Sequence, residues 1–76
     1  SVKPGELIRR VVMEMTLDES NIYDAAKAFL NLAQKVGRVK FRVEAELQEG
    51  LNPQWFRNAV REPLQELTSD FHCSLG

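Results

Sequence analysis

His72 and Cys73 are the two side chains whose chemistry, a titrating imidazole beside a thiol, would be the first choice for nucleophilic catalysis. Their spacing argues against it, because neighbouring residues point apart on a strand and are not face to face on a helix. One Cys and one His also leave a four-ligand metal site half filled. Asp18 with Glu19, and Glu44 with Glu46, are the carboxylate pairs that acid and base catalysis would use. Such pairs need environments that push their pKa values apart, and no apolar pocket is evident around either, so all four read as solvated charges. The chain carries no glycine-rich phosphate loop, nucleophile elbow or zinc spacing. The sequence therefore predicts a non-enzyme, with no catalytic, cofactor or metal residues.

Binding chemistry is better represented. Lys35, Arg38, Lys40 and Arg42 form a basic cluster with Phe41 between two of its members, the composition of a small nucleic-acid contact. Glu44 and Glu46 follow at once and the formal net charge is −1, so this remains the alternative reading. Trp55 lies beside a helical stripe that is complete without it, which makes it a candidate anchor for a partner protein.

The elements that would position these residues are read from apolar spacing. Val39, Phe41, Val43, Ala45 and Leu47 alternate with Lys40, Arg42, Glu44 and Glu46, and this period of two predicts a strand over 38–48. Its polar face changes sign at Val43. Antiparallel pairing with a second copy about that residue would set Lys40 opposite Glu46 and Arg42 opposite Glu44, so residues 39–47 are the expected self-interface.

Three amphipathic helices are expected around this strand. Leu7, Ile8, Val11, Val12 and Met15 give one over 5–17; the competing assignment takes residues 11–17 as a strand of a βαβ unit. Ile22, Ala25, Ala26, Phe29, Leu32, Ala33 and Val36 give a second over 20–36, with Asp18 or Asn21 as its cap and Gly37 just beyond its end. A third, over 53–68, opens on Asn52-Pro53, carries Phe56, Ala59, Val60, Leu64 and Leu67, and should kink or restart at Pro63. The expected fold is α+β and mostly helical, with an all-α arrangement as the other alternative.

At 76 residues the chain is one small domain, a size that hides only about 60% of the unfolded surface when compact. Oligomerisation is the usual remedy, and a homodimer is expected. A hydrophobic share of 43% and a charged share of 28% are those of a folded protein and exclude wholesale disorder. No apolar run approaches the roughly 20 residues of a membrane span. The lone Cys73 suits a reducing, cytoplasmic setting. Together these features describe an assembly, adaptor or regulatory module that contacts itself and a further, unidentified protein.

Overall fold

The computed structural model describes residues 3–76, and Ser1 and Val2 lie outside the described residues. The chain divides into two units, Ser1–Phe41 and Arg42–Gly76. Each has one helix.

The first unit opens on Lys3-Pro4-Gly5-Glu6, where the Glu6 N–H donates to the Lys3 carbonyl at 3.1 Å and Gly5 takes a φ of 89°. Proline followed by a glycine of positive φ is the pattern of a type II turn. Residues 6–17 then run on without helix, strand, turn or bend. The expected helix over 5–17 is thus absent. Pro4-Gly5 is spent on the turn and leaves no side-chain cap, while Ile8, Val11, Val12 and Thr16 are β-branched and weak helix formers. Over 11–17 the odd positions are the less exposed: Val11, Met13 and Met15 are 49%, 55% and 48% exposed, against 75% for Val12, and Leu17 is half-buried, whereas Leu7 and Ile8 are both open. Residues 11–17 form no strand, and no strand lies beside them among the described residues, so the βαβ alternative fails as well.

Asp18 turns the chain into the first helix. Its carboxylate accepts from the Ser20 N–H at 2.9 Å, its carbonyl accepts from the Ile22 N–H at 3.0 Å, and its own N–H donates to the Asn21 side chain at 2.9 Å. Helix α1 spans Ile22–Val36, two residues shorter at its start than expected, with Asn21 as a backbone cap that makes no side-chain bond into the helix. Asp24 in the first turn and Lys35 in the last complement the helix dipole. Gly37, at φ 88°, closes the helix by donating its N–H to the Ala33 carbonyl at 2.8 Å. Ala25, Phe29, Leu32 and Ala33 are the half-buried part of the predicted stripe, whereas Ile22, Ala26 and Val36 stay exposed. Phe41 returns to α1 and meets Phe29 edge to face, with ring centroids 4.9 Å apart.

The strand expected over 38–48 does not form: among the described residues there is no strand and no sheet, and the fold is helical rather than α+β. Locally the run still behaves as an extended chain. Arg42 Nε lies 3.3 Å from Glu44 Oε1, a contact between residues two apart that share a face in an extended chain and not on a helix. Of the two charge pairs expected between copies, Arg42 and Glu44 meet within one copy, whereas Lys40 and Glu46 make no ion pair among the described residues. A turn ends the run, with the Gly50 N–H donating to the Leu47 carbonyl at 2.9 Å and Gly50 at φ 83°.

Helix α2 covers 53–67. Asn52 caps it as expected, its side-chain oxygen accepting from the N–H groups of Gln54 at 2.9 Å and Trp55 at 3.0 Å, with Pro53 in the first turn. The helix neither stops nor restarts at Pro63. It widens before it: Pro53–Phe56 and Glu62–Leu67 are α-helical, and Arg57–Arg61 between them is a π turn, in which the Glu62 N–H reaches the Arg57 carbonyl five residues back. Proline has no N–H for the carbonyl four residues earlier, and one wide turn relieves the ladder there without ending the helix.

Candidate functional site

The π turn changes which side chains are covered. On an unbroken α-helix Arg61 would lie about 140° around the axis from Phe56 and face water. An i to i+5 ring stacks residues five apart, and Phe56, Val60 and Arg61 are the half-buried positions of α2. The same spacing brings Arg57 Nε to 3.8 Å from Glu62 Oε1. Ala59, expected on the apolar stripe, is exposed, as are Leu64 and Leu67.

Beyond Thr68 the tail runs back past this turn, and two clefts meet at Arg61. One, of about 390 Å³, is lined by Pro53, Gln54, Phe56, Arg57, Arg61 and Leu75. The other, of about 350 Å³, is lined by Arg61, Gln65, Phe71, His72 and Cys73. His72 is exposed and Cys73 half-buried, so the structure gives both a place on a cleft wall. Arg61 between the clefts has a buried Nε with no hydrogen-bond partner among the described residues. Sequence reasoning missed this residue. Its one signal was Pro63, two positions on, which demands local relief of the ladder and so re-aims the side chains just before it.

The carboxylate pairs remain solvated. Asp18 is held below the ordinary carboxyl value of 3.8 by bonds from the Ser20 hydroxyl and N–H, a turn-forming role. Among the described residues no three His, Cys, Asp or Glu side chains gather as a metal site would require.

The binding candidates are distributed between the units. Lys35, Arg38 and Lys40 belong to the first, are exposed, and have no ion-pair partner among the described residues. Arg42 belongs to the second and is engaged by Glu44. Of the expected self-interface, Val39 is half-buried and Phe41 touches Phe29, whereas Val43 is 83% exposed and Ala45, Glu46 and Leu47 are exposed. Trp55 is 54% exposed at the first turn of α2.

The most extensive feature is uncovered apolar surface. No described residue is fully buried, and Leu7, Ile8, Tyr23, Leu30, Val43 and Leu67 are among the large side chains left open. The accessible surface is 8086 Å². A compact chain of this length would expose roughly 4,700 Å², and two separate compact bodies of half the length roughly 5,700 Å². No known protein family, curated protein or solved structure matches the chain.

Proposed function

We propose that this chain is a non-enzymatic assembly module that acts through protein–protein contacts, and that its first partner is a second copy of itself. The observation that carries the reading is the exposed surface, which exceeds that of two compact bodies by about 2,400 Å² per chain. A standard interface buries about 800 Å² per partner, and obligate dimers bury about 1,000 to 2,500 Å². The excess is of the obligate size. A formal charge of −1 opposes such self-association only weakly, and two-fold symmetry is the commonest way for one chain to cover its own apolar faces. Those faces lie on the period-two run of Val11, Met13 and Met15, on Ile22 and Leu30 of α1, and on Val43, Leu47, Leu64 and Leu67. Trp55 is the anchor this reading assigns to a further protein, which makes the module an adaptor or a regulator. A reducing, cytoplasmic setting belongs to the same reading and is supported by the single cysteine.

A small nucleic-acid-binding regulator is the second reading, favoured by the exposed Lys35, Arg38 and Lys40, which have no ion-pair partner among the described residues. Sedimentation equilibrium and a gel shift with mixed DNA and RNA at several salt concentrations separate the two. The first reading expects twice the chain mass and no retarded band at physiological salt. A chain that stays monomeric and shifts nucleic acid with a steep salt dependence would establish the second instead.

A further inference from the structure

Two runs of the chain combine apolar alternation with open backbone. Among the described residues no backbone N–H or carbonyl of 7–17 or of 38–46 has a hydrogen-bond partner, and Val11, Met13, Met15, Phe41 and Val43 are exposed. A row of free donors and acceptors is a template for pairing with another segment. In 11–17 and in 39–47 the odd positions are apolar, so paired runs keep one apolar face only when odd stands opposite odd.

Charge selects among the registers that set all of Val11, Met13, Met15 and Leu17 opposite odd residues of 39–47. One antiparallel register places Arg10 opposite Glu46 and Glu14 opposite Arg42, with Val11 on Ala45, Met13 on Val43, Met15 on Phe41 and Leu17 on Val39. Shifted by two, it opposes Glu14 to Glu44. The parallel registers oppose either Arg10 to Lys40 and Glu14 to Glu44, or Arg10 to Arg38. Only the first has opposite charges at both places and like charges at none.

That register calls for a second copy. Helix α1, of 15 residues and about 22 Å, separates Leu17 from Val39, and a helix joined by short links returns its chain parallel. Residues 1–41 carry more cations than anions and residues 42–76 the reverse, so the first unit of one copy attracts the second unit of another. Phe41 rests on Phe29, which turns the apolar face at that residue to α1, the kind of cover that a two-stranded ribbon needs. The Arg42–Glu44 contact joins two well-exposed side chains and is weak enough to exchange.

We propose that residues 10–17 of one copy pair antiparallel with residues 39–46 of a second, with Glu14 opposite Arg42, a pairing that rests on the self-association proposed above and gives it surfaces and a register. Two-fold symmetry makes the contact twice.

Two experiments on the full chain test the register. In the first, chains carrying Met13→Cys and chains carrying Val43→Cys, both with Cys73→Ser, are refolded together and oxidised. The mixed disulfide between positions 13 and 43 should be the main product, and Val43→Cys chains alone should cross-link at least tenfold more slowly. In the second, Glu14→Arg and Arg42→Glu should each raise the dimer dissociation constant severalfold in low-salt sedimentation, and the double variant should recover most of the loss. Cross-linking keeps the register testable if a charge variant does not fold. A wild-type chain that stays monomeric removes the self-association and the register with it. A wild-type dimer whose double charge variant is no tighter than the weaker single one, or whose 43–43 disulfide forms faster than the 13–43 one, overturns the register and leaves self-association standing.

Discussion

Phe29 and Phe41 meet edge to face, their ring centroids 4.9 Å apart and their planes at 79°. This contact joins the middle of α1 to the run that leaves it, four residues beyond Gly37. The geometry is one that aromatic quadrupoles favour, contributing about 0.5 to 1.5 kcal/mol beyond burial alone. Phe29→Leu and Phe41→Leu should each destabilise the protein. Together they should cost less than their sum by an amount in that range, measured by a denaturant double-mutant cycle. A strictly additive pair would mean that the rings do not touch in solution.

Pro63 is the second point of leverage. Pro63→Ala restores the N–H that the π turn does without, so α2 should return to ordinary spacing, with helix content by circular dichroism equal or higher. Arg57 and Glu62 should then separate, and Arg61 should swing towards solvent. A loss of stability above about 1 kcal/mol, with the wide turn retained in amide exchange, would show that packing and not the proline holds it.

Asp18 makes the entry to α1 pH-dependent. Its carboxyl lies below the ordinary value of 3.8 in the folded chain because Ser20 donates to the charged form. A depressed folded-state value means that the stabilisation is complete above the unfolded pKa and is lost as pH falls through the folded one. Amide exchange at Ser20 should therefore be flat from neutral pH down to about 4 once intrinsic rates are removed, and protection should fall at lower pH. Asp18→Asn should abolish that acid transition.

Much of the helical part was legible because it rests on local chemistry. Asn52-Pro53 opened α2 and Gly37 closed α1 through backbone bonds that neighbouring residues satisfy. The run of Val39 to Leu47 was legible only as an extended segment: period two gives the direction of side chains, whereas a strand also needs a neighbour for its backbone groups. Arg42 and Glu44 were expected to pair across two chains, and the contact present is along one chain. Residues 5–17 satisfied a helical template and residues 11–17 an alternating one, and the turn at Pro4-Gly5 with the β-branched side chains weighs against the helix. Arg61 was illegible because a helical wheel assumes even spacing, and one wide turn moves every later position around it.

The most direct measurement is the dependence of folding on chain concentration. If a second copy covers the apolar faces, folding and association are one equilibrium, so the melting temperature must rise as the protein is concentrated. Thermal unfolding followed by circular dichroism over a hundredfold range, with mass determined by sedimentation at each end, should give a midpoint several degrees higher at the top and a dimer that dissociates as it unfolds. A midpoint that does not move over that range, with the mass of a single chain throughout, would contradict self-association and leave the apolar surface of the isolated chain unexplained.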